Sequence, residues 1–506
     1  MFDLLYLGIA EIFQPQVLLI ILLGVIAGII TGLIPGFTVA MAIVLTLPLT
    51  FGLDPVSGVA AMIGVLVGGM SGGLITASLL GIPGTPSAVA TTFDGFPMAR
   101  NGQPGKALSI GIWASFLSSI VSLFLLVAIA PQIASFALMF GPWEMFALIV
   151  AALTIIASVT GESVLKGLIA GMFGLLIATV GADPISGISR FSFDFATLRA
   201  GIPFLVVLIG MFAVSRLMES IQTSELEKDQ QRRLEDKAKD VQFVLRPIAT
   251  LKQVMRKPVN LLRSSSIGAI VGAIPGAGGS IANIIAYDQA KKWSKTPDEF
   301  GKGHDEGVVA SEAGNNSTVG GDLIPTVALG IPGSAVTAVL LSALMVHGIN
   351  PGPLLITNEP NIVGGIFVAF LAASFFMLVV QFTGIKYFIR VTEIPAHVLV
   401  PVILVLCVLG TFVLNNRVTD LYILLLMGIV GYIFVKYKFT LAPVIIGVIL
   451  GPIAETNLRR AYMNEPEWTL FFTRPISLTF LIIAVLSIVF TIWQARRAKA
   501  KAAAQP

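Results

Sequence analysis

Long apolar stretches without a single charged residue alternate with short polar segments along this chain. The clearest of these stretches are 107–130, 362–380 and 475–492. Each is long enough to cross the bilayer core of about 30 Å, because a spanning helix needs roughly 20 residues. The same pattern predicts further spans near 143–161, 164–182, 201–218, 396–414, 420–435 and 440–455. We therefore predict an all-α polytopic membrane protein.

Composition supports a membrane protein and argues against several other classes. The 506 residues are 56% hydrophobic and only 12% charged, whereas soluble domains are about 25% charged. The first Lys or Arg is Arg100, so no basic start of a cleaved signal peptide is predicted. Cys407 is the single cysteine, which excludes an internal disulfide. The net charge of +4 fits basic cytoplasmic loops and gives no reason to expect nucleic acid binding.

Glycine- and proline-containing motifs recur in the same order in two parts of the chain. The related pairs are GLIPG at 32–36 with GAIPG at 272–276, Gly72-Gly73 with Gly320-Gly321, and LGIPGT at 80–85 with LGIPGS at 329–334. The members of these pairs are separated by 240, 248 and 249 residues. Three ordered pairs at nearly one separation indicate an internal repeat. Matching interrupted apolar segments of this kind are the best sequence pointer to a transporter binding site.

This duplication divides the chain into four segments. Residues 1–218 are predicted to form the first transmembrane repeat, and residues 264–460 the second. A charged connector at 219–263 joins them, and 461–506 hold a last transmembrane helix and a basic cytoplasmic tail. The connector carries ten Lys or Arg and seven Asp or Glu, which places it in the cytoplasm.

Charge placement predicts that the two repeats are inverted relative to each other in the membrane. Lysines within 291–302 place that segment in the cytoplasm with the connector, so the short, weakly polar segment between them is predicted to be a re-entrant hairpin. In the first repeat the basic residues Arg100 and Lys106 follow the second motif instead. Inverted repeats are a common plan of secondary transporters. The residues that do not follow this topology are Arg190, Arg199, Arg417, Arg459 and Arg460.

Each Gly-Ile-Pro-Gly motif is predicted to end one helix and begin another inside the membrane, because Pro removes a backbone donor and Gly relaxes the backbone. A helix N-terminus presents free N–H groups and a partial positive charge, which suit a carboxylate. Nearby hydroxyls would add donors, although they could instead only cap their own helices. The residues predicted to bind substrate are Gly72, Gly73, Thr76, Pro83, Gly84, Thr85, Ser87, Asn315, Asn316, Pro332, Gly333, Ser334 and Thr337.

The segment EAGNNSTVGG at 312–321 is an unusually polar stretch of the second repeat. Its glycines are expected to let the helix unwind, and its neutral oxygens suit a coupling ion such as Na⁺. The same amides could instead donate to a carboxylate. At a separation of 248 residues, Asn315 and Asn316 correspond to Val67 and Gly68, so only the second repeat has the amides. The residues predicted to bind an ion are Gly36, Gly276, Gly278, Asn315, Asn316, Ser317 and Thr318.

Isolated charged residues give weaker signals. Glu312 follows Lys302 by only ten residues, which favours a position at the membrane interface. A protonatable group in a coupling pathway is the alternative for Glu312. Asp94, Asp183 and Asp322 stand beside Gly or Pro and are predicted to mark helix ends.

The motifs as a set, with DGFPMAR at 94–100 and GIPGSA at 330–335, resemble the large membrane subunit of the bacterial tripartite tricarboxylate transporters. The resemblance covers residues 15–460. It implies import of a di- or tricarboxylate such as citrate, driven by an Na⁺ or H⁺ gradient without any cofactor. It also implies two protein partners, a periplasmic solute-binding protein and a small four-helix membrane subunit. Met70 and Gly314 stand where the family usually has Tyr and Ala.

We therefore predict a secondary transporter rather than an enzyme, located in the bacterial inner membrane with a cytoplasmic C-terminus. The motifs around 72–87 and 312–337 are predicted to form a midplane site, supported by re-entrant hairpins at 32–38 and 272–280. GAGGS at 276–280 lacks the lysine of a phosphate-binding P-loop, so no ATPase is predicted. Two alternatives stay open, a passive organic-anion channel and a membrane hydrolase that uses a serine with one of the three histidines.

Overall fold

The computed structural model describes residues 2–34, 36–159, 163–183, 185–195, 197–222, 244–391 and 396–503. Within these residues the only strands are β1 (Gly181–Ala182) and β2 (Ser189–Arg190), which pair antiparallel, and the other regular elements are helices. Seven of the described helices are long and apolar enough to cross a membrane: Pro15–Leu33, Pro55–Leu80, Pro104–Ala137, Pro142–Val159, Pro360–Arg390, Val418–Lys436 and Pro475–Trp493. The predicted all-α polytopic membrane fold is confirmed.

The α-helices are named in chain order. They are α1 (Phe2–Ile12), α2 (Pro15–Leu33), α3 (Val39–Thr46), α4 (Pro55–Leu80), α5 (Thr91–Arg100), α6 (Pro104–Ala137), α7 (Pro142–Val159), α8 (Val164–Ala178), α9 (Phe204–Leu208), α10 (Ser215–Gln222), α11 (Pro247–Met255), α12 (Pro258–Ala273), α13 (Gly278–Trp293), α14 (Asp305–Asn316), α15 (Thr318–Leu329), α16 (Ala335–Val346), α17 (Leu355–Asn358), α18 (Pro360–Val391), α19 (Ala396–Asn415), α20 (Val418–Lys436), α21 (Ala442–Asn464), α22 (Leu470–Thr473) and α23 (Pro475–Ala503).

Some predicted spans differ from the observed helices. Helix α8 ends at Ala178, four residues before the end of the predicted span 164–182, whereas α19 (Ala396–Asn415) matches the predicted 396–414. The predicted span 201–218 is interrupted by a π-helical turn, Ile209–Val214, between α9 and α10.

The chain divides into two compact units, and each unit takes one segment from each part of the sequence. The first unit comprises Met1–Ala134 and Arg216–Leu414, and the second comprises Ser135–Ser215 and Asn415–Pro506. In each predicted repeat, the N-terminal part therefore lies in the first unit and the C-terminal part lies in the second. The division at 218 and 264 remains a prediction, and 223–243 of the predicted connector lies outside the described residues.

In the first unit, α2 and α4 pack closely because each carries glycine at every fourth position. These glycines are Gly24, Gly28 and Gly32 on α2, and Gly64, Gly68 and Gly72 on α4. A Cβ atom on Gly28 would lie 2.3 Å from the carbonyl oxygen of Val65, and one on Gly68 would lie 2.2 Å from that of Val25. Small residues let membrane helices approach to backbone contact in this way. The pairing holds α4, which carries the second motif, against α2, which carries the first.

The two copies of each motif adopt the same backbone conformation. Gly36 and Gly276 in the first motif have φ of 89° and 85°, and Gly81 and Gly330 in the second have φ of 71° and 69°. These left-handed conformations require glycine, because a Cβ atom would clash with the backbone. The repeat seen in the sequence is therefore also a repeat of local structure.

In the second unit, the β1–β2 hairpin carries a network of ion pairs. Asp183 accepts two backbone N–H groups of the following turn at 2.9 and 2.8 Å and pairs with Arg459 of α21 at 2.7 Å. Arg190 of β2 donates through both guanidinium nitrogens to Glu455 of α21. Asp183 thus lies within the hairpin, so its predicted position at a helix end is wrong. The network gives Arg190 and Arg459, which do not follow the predicted charge bias, a structural role.

Candidate functional site

The second motif ends a helix in both copies but begins a long helix in only one. Gly81 closes α4 and Gly330 closes α15. Ser334 then caps the twelve-residue α16, whereas Thr85 precedes only a three-residue 3₁₀ turn, Pro86–Ala88. The prediction of a helix N-terminus after each motif is therefore right for the second copy and wrong for the first.

The hydroxyls beside the two motifs also have different roles. Ser334 and Thr337 form a capping box, in which the Ser334 Oγ accepts from the Thr337 N–H at 3.3 Å and the Thr337 Oγ1 accepts from the Ser334 N–H at 2.9 Å. These two hydroxyls thus cap their own helix, as the alternative interpretation expected. In the first copy, Thr85 Oγ1 and Ser87 Oγ lie 3.0 Å apart, and Thr85 makes no capping bond.

The polar stretch at 312–321 remains helical, so the predicted unwinding is wrong. Only Ser317 separates α14 from α15, and its φ of −68° is helical. The Ser317 hydroxyl donates to the Ala313 carbonyl at 2.6 Å, and the Thr318 hydroxyl donates to the Asn315 carbonyl at 2.6 Å. Both hydroxyls that were predicted to bind an ion are therefore engaged within their own helix.

The glycines of this stretch serve close helix packing instead of unwinding. A Cβ on Gly314 would lie 2.6 Å from the Cβ of Ala286 on α13, and one on Gly321 would lie 2.2 Å from the Ala269 carbonyl oxygen on α12. Gly72 has the same role on α4, where a Cβ would lie 2.6 Å from the Ile29 carbonyl oxygen of α2. Among the predicted substrate-binding glycines, Gly72 thus points into a helix contact.

Asn315 joins the second copy to the first. Its Nδ2 donates to the carbonyl oxygen of Met70 on α4 at 2.9 Å. The amide oxygen of Asn315, Oδ1, lies near Gly279 at the start of α13. A Cβ atom added to Gly279 would lie 3.1 Å from this oxygen and 2.8 Å from the Cβ of Ser87. Asn315 is fully buried, and its Oδ1 has no hydrogen-bond partner. A buried acceptor without a partner is costly unless something binds it.

Asn283, one helical turn after Gly279 on α13, repeats this arrangement. Its Nδ2 donates to the main-chain carbonyl of Ser87, and its buried Oδ1 has no partner. Asn315 Oδ1 and Ser87 thus lie beside Gly279 in the first turn of α13, and Asn283 bonds to the Ser87 backbone from the next turn. Thr85 is connected to this group by its 3.0 Å contact with the Ser87 hydroxyl. The N–H groups of the first turn of α13 are not used within the helix. Asn283 was missed from the sequence, although its spacing of four from Gly279 places both residues on one face.

The corresponding place in the first copy is apolar. At a separation of 240 residues, Gly279 and Asn283 correspond to Val39 and Ile43. A Cβ on Gly69 of α4 would lie 2.9 Å from a side-chain methyl of Val39, so the valine side chain packs directly against α4 at this glycine. The helix after the first motif packs against the other copy in both cases. Helix α13 of the second copy lies against the 85–88 turn of the first, and α3 of the first copy lies against α16 of the second. The polar site is therefore present on one side of the repeat only.

Glu312 and Asn316 form a second buried polar cluster. Glu312 is fully buried, so its predicted position at the membrane interface is wrong. Its Oε1 accepts from Thr91 of α5 at 2.5 Å, and its Oε2 accepts from Ser115 of α6 at 3.0 Å and from Asn316 at 3.2 Å. Thr91 and Ser115, which no motif in the sequence indicates, complete the cluster. Three donors satisfy the carboxylate without any basic partner.

Two of the three glycines predicted to bind an ion, Gly36 and Gly276, make other hydrogen bonds. The Gly36 carbonyl oxygen accepts a hydrogen bond from the Arg216 guanidinium at 2.9 Å. A positively charged group therefore already occupies this oxygen, which disfavours a cation there. The Gly276 N–H donates to the Gly333 carbonyl at 2.7 Å and thereby joins the two motifs of the second copy. Gly278 begins α13 with φ of 58°. It precedes Gly279, the residue next to the Asn315 amide oxygen.

The two remaining acidic residues occupy different places. Asp94 lies in the first turn of α5, as predicted for a helix end, and its Oδ1 accepts three backbone N–H groups of the 301–304 loop at 2.8 to 2.9 Å. Asp322 lies inside α15 and is 5% exposed, so its predicted position at a helix end is wrong. Its Oδ1 is buried and has no partner.

Comparison with known proteins agrees with the motifs and the fold. A model of the tripartite tricarboxylate transporter TctA family matches residues 18–446. An Agrobacterium vitis protein, described as an uncharacterized 52.8 kDa protein in the TAR-I ttuC' 3' region, is 32% identical over 446 residues, which is 88% of this chain and 87% of that protein. A second from the same organism, described as an uncharacterized protein in the TAR-II ttuC' 3' region, is 32% identical over 46% of this chain and 96% of its own length. No solved structure matches significantly. On this evidence the chain belongs to the tripartite tricarboxylate transporter TctA family.

Proposed function

We propose that this chain is the subunit through which a di- or tricarboxylate such as citrate is imported, and that an Na⁺ or H⁺ gradient drives the import. Family membership supports a transporter component of this class. The observation that carries the substrate assignment is the convergence of Asn315 and Asn283 with Ser87 at the first turn of α13. We call this group of residues, with Thr85, the Asn315 site.

The chemistry of the Asn315 site suits a carboxylate that also carries a hydroxyl or a protonated carboxyl group. The first-turn N–H groups of α13 and the hydroxyls of Thr85 and Ser87 are donors for an anion, and the helix end adds about half a positive charge. The free Oδ1 atoms of Asn315 and Asn283 accept hydrogen bonds from the neutral part of the same molecule. This arrangement binds an anion without a buried Lys or Arg, whose charge would be costly to carry across the membrane.

Family membership also supports two protein partners for this chain. In this proposal a periplasmic solute-binding protein delivers the carboxylate, and a small four-helix membrane subunit accompanies this chain in the bacterial inner membrane. The C-terminus after α23 is proposed to be cytoplasmic, because the tail after Trp493 is basic.

Uptake in liposomes tests the proposal. The chain is reconstituted with its companion subunit and binding protein, and labelled citrate uptake is measured with an inward Na⁺ or H⁺ gradient. Asn315→Ala is expected to lower uptake about tenfold or more, which corresponds to losing ~1.4 kcal/mol of binding. The matched control is Asn361→Ala, because Asn361 is exposed on α18.

The results separate this function from its alternative. Full uptake by Asn315→Ala would contradict the assignment of the site. Citrate flux in the wild type that needs neither an ion gradient nor the binding protein would indicate the passive channel.

A further inference from the structure

Asp322 is a buried carboxylate that the proposed substrate site does not use. It lies inside α15, is 5% exposed, and its Oδ1 has no hydrogen-bond partner. Glu312 provides the contrast, because its carboxylate receives three donors and is fully satisfied. A buried carboxylate with a free oxygen is costly in a membrane protein unless a positive ion or a proton neutralises it.

The repeat shows what Asp322 replaces. Gly84 and Gly333 define the register of the two copies, because a Cβ on Gly84 would lie 3.2 Å from the Gly73 Cα and one on Gly333 would lie 2.8 Å from the Asp322 Cα. Asp322 therefore corresponds to Gly73 at a separation of 249 residues, one residue away from the separation of 248 at which the sequence pairs Gly73 with Gly321. A Cβ on Gly73 would lie 2.8 Å from the Thr85 Oγ1, and the Asp322 side chain correspondingly meets the Ser334 hydroxyl. The second copy thus places a carboxylate of the protein beside its motif, where the first copy has no side chain.

The second motif packs against the end of α12 and against the backbone of Asp322. A Cβ on Gly333 would lie 2.9 Å from the Gly272 carbonyl oxygen and 3.0 Å from the Asp322 carbonyl oxygen. Gly272 lies in the last turn of α12, where helix carbonyls carry partial negative charge. Carbonyls at broken helices together with a carboxylate are the ligands that transporters use for Na⁺ or H⁺.

No charged group of the described residues competes for Asp322 from the elements packed against α15. On α12 Arg263 is bonded to Asn260, on α14 Glu312 is held by its three donors, and on α13 Tyr287 donates to Asp94. The other charged residues of α13 lie in its last turns, where Asp288 pairs with Lys292 and Lys291 is exposed. On α6, whose Ser122 contacts α15 at Gly320, the charged residue is Lys106, which pairs with Asp305 at 2.7 Å. Helix α16 contains no charged residue, and Glu359 after α17 is exposed.

We propose that Asp322 is the cation site of the transport cycle, and that one Na⁺ or one proton on its free Oδ1 moves together with the substrate. This inference rests on the proposed function, because the cation neutralises Asp322 before a substrate anion binds in the same unit. The empty carrier and the carrier with both ligands then differ less in net charge than the carrier with only the cation differs from the carrier with only the substrate anion. This difference favours binding of the two ligands together.

Citrate binding to the purified complex tests the coupling. In one arm Na⁺ is varied at fixed pH, and in the other pH is varied without Na⁺. In the wild type one of the two cations should change citrate affinity by roughly 5- to 150-fold, the usual range of coupling between sites. In Asp322→Asn this change should disappear. Asp298→Asn, at an exposed position, is the matched control and should behave as the wild type.

Labelling of the wild type keeps the proposal testable if Asp322→Asn does not fold. Dicyclohexylcarbodiimide reacts with protonated carboxyls in apolar surroundings, and peptide mass spectrometry locates the product. Labelling of Asp322 should fall with added Na⁺ if Na⁺ is the ion, or with rising pH alone if the ion is a proton. Labelling that neither condition changes, or an Asp322→Asn variant that keeps the cation effect on citrate affinity, would overturn the proposal. Failure of the wild type to transport citrate would overturn the proposed function instead, because the labelling result does not depend on citrate.

Discussion

The Thr91 hydroxyl donates a hydrogen bond of 2.5 Å to Oε1 of Glu312 and so connects α5, which follows the second motif of the first copy, to α14 of the second copy. Ser115 of α6 donates to the other carboxylate oxygen at 3.0 Å. Asn316, which donates to Ser115 as well as to Glu312, lies next to Asn315. The Glu312 cluster therefore holds the helix that presents Asn315 to its site.

Replacement of Glu312 by Ala should destabilise the protein more than replacement by Gln. Alanine leaves the buried Ser115 hydroxyl without its acceptor and Thr91 with only the longer 3.2 Å bond to Ser311, and a buried donor without an acceptor costs about 1–3 kcal/mol. Glutamine keeps one oxygen, and a hydroxyl such as that of Thr91 can rotate to accept from its amide. We expect a loss of about 2–4 kcal/mol for Glu312→Ala, measured as thermal unfolding in detergent. Glu467→Ala is the control because Glu467 is exposed, and equal melting temperatures of the two alanine variants would contradict the role of the cluster.

The contact of α2 with α4 gives a prediction with a matched glycine pair. In Gly28→Ala the new methyl would lie 2.3 Å from the Val65 carbonyl oxygen, whereas in Gly52→Ala it would meet no atom within 4 Å. Overpacking against backbone costs about 1–3 kcal/mol, because the helices must move apart. Gly28→Ala should therefore lower the melting temperature and the yield of folded protein, and Gly52→Ala should not. Similar melting curves for both variants would show that the α2–α4 contact is looser than described.

Much of this architecture could be predicted because it follows from local rules. Apolar length predicts the spanning helices, and the left-handed Gly81 and Gly330 end their helices where the motifs indicate. The correspondence of Gly279 with Val39 is also present in the sequence, whereas the Gly-Gly pairs there place Gly73 opposite Gly321 and not opposite Asp322. It becomes informative only when the structure shows what each residue contacts.

The errors concern residues whose partners come from distant parts of the chain. Asn315 remains in a helix because its amide donates to Met70, which is 245 residues away. Glu312 lies close to Lys302 in sequence, but α14 begins at Asp305 and carries Glu312 about 10 Å along its axis into the protein. Such long-range partners leave no periodic signal in one sequence, so the sequence alone predicts a loop or an interface for the polar residues of α14 and α15.

Asp183 gives a prediction about pH for the hairpin of the second unit. The Ser186 backbone N–H donates to this carboxylate and, with Ile185 and Arg459, lowers the pKa of Asp183 from 3.8 to about 2. Because the folded state has the lower pKa, the stabilisation is complete above pH 3.8 and is lost as pH falls toward 2. The melting temperature of the wild type should exceed that of Asp183→Asn at neutral pH, and the difference should shrink below about pH 4. A difference that stays constant down to the acid limit would contradict the lowered pKa.

Ser87 and Ser334 occupy related places after the two motifs, yet the structure predicts opposite effects of replacing them by Ala. The Ser334 hydroxyl accepts from the Thr337 N–H and caps α16, so Ser334→Ala should lower stability by about 1 kcal/mol. Ser87 lies beside Asn315 and Asn283 with its hydroxyl 3.0 Å from that of Thr85, and it begins no long helix. Ser87→Ala should lower the free energy of unfolding less than Ser334→Ala does, because no helix loses its N-cap, and it should weaken citrate affinity. Thermal unfolding and citrate binding measured on both variants check the assignment, because a substrate site shared equally by the two copies would make both serines lower affinity to the same extent.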